Sequence, residues 1–213
     1  MNTRLEIHDD IAHVIFDREG SSANIFDRDT VMELAQHVEQ LESLAAASKI
    51  RGAAFLSAKD KIFIAGADIN AFLGEGITEA DLEQMVAGGQ ELFTRIAKLK
   101  VPTVAGIHGA CMGGGLEMCL ACDWRIASDD SATRIGLPET NLGILPGWGG
   151  CTRLPRLIGL PKSLALILQG KRLAARQALK FGVVDDLVPT EHFERWVRVK
   201  IGQGKRRRKW HLL

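Results

Sequence analysis

This chain has almost no net charge, few cysteines, no long apolar run and no basic leader, and each shortage closes off a class of function. The formal charge over 213 residues is +1, too small to draw the whole molecule toward nucleic acid or an anionic membrane surface. No apolar stretch reaches the roughly 20 residues that span a bilayer as a helix. The opening Met1-Asn-Thr-Arg-Leu-Glu6 lacks the basic and apolar regions of a secretory signal. A protein without a membrane span, in the cytoplasm, is the expectation. The four cysteines, Cys111, Cys119, Cys122 and Cys151, sit in apolar or glycine-rich segments. Cys119 and Cys122 make one C-x-x-C with no second pair and no histidine at ligand spacing. They read as small buried hydrophobes rather than a metal or redox centre. The six histidines show no mutual metal-site spacing either, so no metal is expected. The G-x-G-x-x-G fingerprint, the P-loop and the G-x-S-x-G elbow are all missing, which argues against dinucleotide, nucleotide and serine-hydrolase chemistry.

What is present is ordinary in bulk: 46% apolar and 25% charged residues, enough chain for one core and little for two. The charge is unevenly spread. Lys205 to Lys209 contributes five positives, leaving 22 basic against 26 acidic residues in the body. A domain over residues 1–200 followed by a basic tail or the start of a missing linker, 201–213, is expected. A short basic run of this kind is read as solvated, not as a nucleic-acid site.

Arg4–His8 and Ile11–Phe16, split by Asp9-Asp10, read as a hairpin. Val31, Leu34, Val38 and Leu41 mark one face of a helix over Arg28–Ala46. Gly52–Ser57 is a buried strand and Ile62–Ala65 another extended piece. Thr78 with Asp81 starts a long amphipathic helix on which Met85 and Phe93 are core. Pro161–Leu168 and Ala174–Leu179 are short helices, the second stopped by Gly182, and Val183–Val188 is a last strand. Strands alternating with helices imply an α/β fold with largely parallel pairing.

The informative stretch lies between, from Val101 to Gly150. The run Val101-Pro-Thr-Val-Ala-Gly-Ile-His-Gly109 predicts a buried strand. It leads through Gly113-Gly114-Gly115 into a helix carrying Glu117. A helix opening on glycines leaves backbone N–H groups unpartnered and able to hold negative charge. Twenty-two residues on comes Glu139, in Gly136-Leu-Pro-Glu139, then the glycine-rich Gly143–Gly150. Two glutamates on glycine scaffolding beside exposed N–H donors suggest acid–base work on a developing oxyanion.

Ile64-Ala-Gly-Ala-Asp-Ile69, Ile107-His-Gly-Ala-Cys-Met-Gly-Gly-Gly-Leu-Glu117, Gly136–Gly150 and Thr152-Arg-Leu-Pro-Arg-Leu-Ile-Gly159 together resemble the enoyl-CoA hydratase/isomerase (crotonase) superfamily. The likeness is strongest to the N-terminal hydratase region of the multifunctional fatty-acid oxidation α-subunit. The resemblance implies a spiral of ββα turns with its C-terminal helical part truncated. It implies an enoyl-CoA hydratase of fatty-acid β-oxidation, with Δ3-Δ2-enoyl-CoA isomerisation or an acyl-CoA-binding fragment as alternatives. Glu117 and Glu139 match the catalytic carboxylates, and Ala67 and Gly114 the two N–H donors of the oxyanion hole. Ala65, Gly66, Asp68, Ile69, Gly113, Pro138 and Gly147 match substrate-binding positions, Gly147 through a backbone group near the water. Coenzyme A enters as part of the acyl-CoA thioester, so no separate cofactor is implied. Implied partners are further copies of the chain or a following NAD-dependent dehydrogenase domain. Trp148 is larger than the residue usual at its position and is expected to narrow the acyl pocket.

Overall fold

The computed structural model describes residues 1–68 and 76–206. Strands β1 (Thr3–His8) and β2 (Ile11–Phe16) form the expected antiparallel hairpin. Its turn residues Asp9 and Asp10 have φ of 45° and 62°. Aspartate tolerates this left-handed region, and a turn of that hand suits the twist of the strands. Helix α1 (Arg28–Ala46) has the expected bounds and buries Leu34, Val38 and Leu41, with Asp27 capping it through the Thr30 N–H. Then come β3 (Gly52–Ser57), β4 (Ile62–Ile64) and α2 (Glu79–Lys98), where the Thr78 and Asp81 side chains each accept the other's backbone N–H. β5 (Thr103–Ile107) and β6 (Ala110–Met112) lead into α3 (Gly114–Ala121). β7 (Trp124–Ser128) and β8 (Arg134–Gly136) lead to a 3₁₀ turn at Glu139–Leu142, then α4 (Gly150–Ile158) and α5 (Leu160–Leu168). β9 (Arg172–Ala174), α6 (Ala175–Phe181), β10 (Asp186–Val188) and α7 (Phe193–Gly202) follow.

One sheet has the order β1-β2-β3-β5-β7-β10, parallel from β2 onward; the other runs β4-β6-β8-β9, with only β8–β9 antiparallel. In each pair β3–β4, β5–β6 and β7–β8, the first strand joins the large sheet and the second the small one. The chain therefore winds as a spiral of ββα turns, the α/β architecture expected. Gly109, at φ 59°, makes the β5–β6 switch; a Cβ there would lie 1.8 Å from the Lys61 carbonyl oxygen. All eight residues of α3 are buried, which explains why its sequence is apolar on every side except at Glu117.

Several local expectations change. Sequence periodicity assigned no helix to α4. Val183 and Val184 are buried in the turn after Gly182, and only Asp186–Val188 pairs with β7. Met85 is half-buried while Phe93 is in the core, and Cys151 is exposed while Cys111, Cys119 and Cys122 are buried. Beyond α7 the chain stays tied to the body: Trp124 Nε1 donates to the Gly204 carbonyl at 2.9 Å, and Lys205 Nζ donates to the Leu99 carbonyl at 2.6 Å. Arg206 pairs with Asp185 at 2.5 Å, whose other oxygen meets the buried Arg125 at 3.0 Å. None of the described helices is long and apolar enough to cross a membrane.

Candidate active site

The three glycines that open α3 allow three different close approaches. Gly113 has φ 52° and ψ −126°, a conformation a side chain resists, and a Cβ there would sit 3.1 Å from Glu139 Oε1 and 3.8 Å from Gly66 Cα. At Gly114 a Cβ would meet the Trp148 ring at 2.8 Å, and at Gly115 the Ile64 carbonyl oxygen at 2.8 Å. Gly114 is the first residue of α3, so its N–H has no intrahelical acceptor, and no described residue accepts it.

The Ala65–Asp68 loop supplies the second donor through its pairing with Phe26. The Phe26 N–H donates to the Gly66 carbonyl and the Asp68 N–H to the Phe26 carbonyl, both at 2.9 Å. In a parallel pairing of this kind the residue between, Ala67, directs its own N–H to the opposite side. No described residue accepts that N–H. The loop is anchored by buried Asn24, whose carbonyl takes the Ala65 N–H at 2.9 Å. The Asn24 side-chain amide donates to the Phe16 and Phe63 carbonyls and to Ser57 Oγ. Asn24 is not among the residues that the sequence singled out.

Glu117 sits in the first turn of α3 and is 2% exposed. Its Oε1 accepts the backbone N–H of Trp148 at 2.8 Å and of Gly150 at 2.7 Å. Burial pushes its pKa from 4.5 to about 7; the two N–H groups and the Arg153 charge hold it down while the Glu139 charge pushes it up. Glu139 opens the 3₁₀ turn behind Pro138. Burial raises its pKa to about 7 as well, and its Oε2 has no hydrogen-bond partner among the described residues. The charge of Glu139 thus acts on Glu117, and the thiol of Cys151 feels both charges.

The loop before α4 completes the site. Gly149, at φ 116°, precedes α4, so the Gly150 N–H at the helix terminus points at Glu117. A carboxylate thereby fills one helix N-terminus, α4, while the N–H at another, α3, stays open. The Gly147 carbonyl is engaged by Gln90 Nε2 at 2.7 Å; the N–H groups that reach Glu117 belong to Trp148 and Gly150. Trp148 is 6% exposed and packs edge-on against Phe26 and Phe93, over the Cα atoms of Gly89 and Gly114. Its indole is part of the core behind the oxyanion loop rather than a free wall of an open pocket.

The expected residues Ala65, Gly66, Ala67, Asp68, Gly113, Gly114, Pro138 and Glu139 therefore come from three loops that meet around Gly66, Gly113 and Glu139. Ile69 lies outside the described residues. The hold of the Trp148 and Gly150 N–H groups on Glu117, and the part played by Arg153, are what sequence reading missed. Their signal was the Gly149-Gly150 pair ahead of a helical run. Among the described residues no three His, Cys, Asp or Glu side chains come together at metal-binding spacing.

The model of the Enoyl-CoA hydratase/isomerase family matches residues 6–205. The chain is similar to the solved enoyl-CoA hydratase from Bacillus anthracis, at 31% identity and TM-score 0.85 over 95% of this chain and 76% of that one. It is similar to the enoyl-CoA hydratase from Thermoplasma volcanium, at 30% identity and TM-score 0.83 over 93% and 76%. Human mitochondrial Δ3-Δ2-enoyl-CoA isomerase matches at 28% identity and TM-score 0.84 over 95% and 77%.

Proposed function

This chain belongs to the enoyl-CoA hydratase/isomerase family, and from that premise we propose that it hydrates trans-2-enoyl-CoA to 3-hydroxyacyl-CoA. The observation that carries the reading is a pair of neighbouring buried carboxylates, both raised to about 7, next to two N–H groups without acceptors among the described residues. The thioester oxygen rests on the N–H groups of Ala67 and Gly114. Water attacks C3, its proton passes to one carboxylate, and electron density moves through C2 onto the thioester oxygen. Each of the two donors contributes on the order of 3 kcal/mol to holding that enolate-like charge. The other carboxylate, protonated, delivers its proton to C2 on the same face, so the net change is one water added syn across the double bond.

Two nearby acids of similar affinity share one proton near neutral pH, which gives one base and one acid together. Glu117, held between two N–H groups, is the base that takes the proton of water, and Glu139 is the donor to C2. The reaction needs no cofactor beyond the coenzyme A of the substrate. Its setting is fatty-acid β-oxidation in the cytoplasm, as the hydratase portion of a multifunctional α-subunit or as an assembly of like chains.

A second reading, Δ3-Δ2-enoyl-CoA isomerisation, is favoured by Glu139 itself: one carboxylate with an unpartnered oxygen is enough to carry a proton between two carbons. Following the enoyl absorbance of crotonyl-CoA tests the first reading. Glu139→Gln should cut hydration by two or more orders of magnitude and leave acyl-CoA binding by calorimetry within a few-fold. Near-normal turnover in that variant removes Glu139 from the mechanism. A wild-type chain that binds crotonyl-CoA without consuming it, yet converts 3-enoyl-CoA, makes the isomerase reading the right one.

A further inference from the structure

Arg153 breaks two local rules. It lies near the start of α4, where a cation opposes the helix dipole. It is also only 8% exposed, yet no carboxylate among the described residues lies within ion-pair distance of it. Its Nε has no hydrogen-bond partner there either. Burying a guanidinium in this way is costly, and breaches of this kind concentrate where function demands them.

The contacts Arg153 does make tie one turn to α2. Nη1 donates to the Trp148 carbonyl at 2.9 Å, and Nη2 to Thr94 Oγ1 on α2 at 3.1 Å. The guanidinium lies so close across Gly149 that a Cβ there would fall 1.9 Å from Nη1. The residues on either side of Gly149, Trp148 and Gly150, are the two whose N–H groups hold Glu117.

We propose that Arg153 is a positioning residue for Glu117: its planar fork fixes the Trp148–Gly150 turn so that both N–H groups stay on the carboxylate, and its charge favours the ionised base. The inference rests on the hydration reading above. The groups that bear on Glu117 are Glu139, which opposes ionisation, Arg153 and the two N–H groups, which favour it, and the neighbouring thiol of Cys151. Arg153 in turn feels Arg156 and Cys122. A mere clamp between α2 and α4 would change the melting temperature of the protein but not its titration.

The test uses the full chain as wild type, Arg153→Met, Arg153→Lys, and Arg153→Met combined with Glu117→Gln, with crotonyl-CoA from pH 5.5 to 9. A wild-type chain with no hydratase activity overturns the functional reading itself and this inference with it. Given an active wild type, Arg153→Met lowers kcat at pH 7 about 10- to 100-fold with KM within about threefold. It also moves the acidic limb of kcat to higher pH, because a carboxylate that loses a neighbouring cation ionises later. Arg153→Lys leaves the limb near its wild-type position but does not restore full kcat, since an ammonium carries the charge without the fork. On top of Glu117→Gln, Arg153→Met costs less than about threefold, as expected when one residue acts through the other. A limb unmoved in Arg153→Met, or an equal loss in the Glu117→Gln background, overturns the proposal. Should Arg153→Met fail to fold, Arg153→Lys decides through its kcat, and wild-type kcat in that variant is the overturning result.

Discussion

Replacing Glu117 with glutamine separates what this carboxylate does for a reaction from what it costs the fold. Burial raises its pKa from 4.5 to about 7, so the folded protein binds this proton more tightly than the unfolded chain. The stability that goes with the proton is complete below about pH 4.5 and is lost as pH rises through 7. At 1.36 kcal/mol per pH unit the loss has an upper bound of ~3 kcal/mol. Glutamine keeps the shape, and its oxygen still accepts the N–H groups of Trp148 and Gly150, but it carries no charge to desolvate. Glu117→Gln should therefore match wild type at pH 5 and be more stable at pH 8, by ~1–3 kcal/mol. The lower figure applies if Arg153 loses a favourable neighbour with the charge. For a domain of this size that corresponds to a melting temperature higher by roughly 3–10 °C. Thermal unfolding followed by circular dichroism at the two pH values measures it, and crotonyl-CoA turnover on the same samples should fall at least about 100-fold. A melting-temperature difference that is the same at both pH values, or a less stable variant at pH 8, would refute the buried-charge argument.

Two substitutions test the scaffold. Gly113→Ala forces a side chain into a backbone conformation of φ 52° and a Cβ to 3.1 Å from Glu139 Oε1. It should cost about 1–3 kcal/mol in a urea titration and displace the proton donor, with hydration falling by about two orders of magnitude. Trp148→Ala empties the space between Phe26, Phe93, Gly89 and Gly114. Its denaturant midpoint should drop by the equivalent of about 3–5 kcal/mol with the m-value unchanged, whereas a loss under 1 kcal/mol would mean that the indole is not part of the core.

The features decided by neighbouring residues could be read from the amino-acid order alone. The bounds of α1, the Asp9-Asp10 turn, the Thr78 cap and the stop at Gly182 each depend on the φ preference or short-range hydrogen bond of a few adjacent residues. The glycine-led start of α3, with an N–H left to bind charge, was legible for the same reason, and so was the choice of Glu117 and Glu139 as the acids of interest. The division of β3 to β8 between two sheets was not, since a three-residue strand such as β6 or β8 carries no periodicity of its own. Nor was the burial of Arg153, which no pattern in the residues around it marks. Its burial comes from α2 closing over it through Thr94, 59 residues away. The nearness of Glu117 to Glu139, and the raised affinity of both for protons, were likewise settled by packing. Desolvation acts on a carboxylate only when distant segments exclude water from it, and no local pattern of residues records which segments those will be.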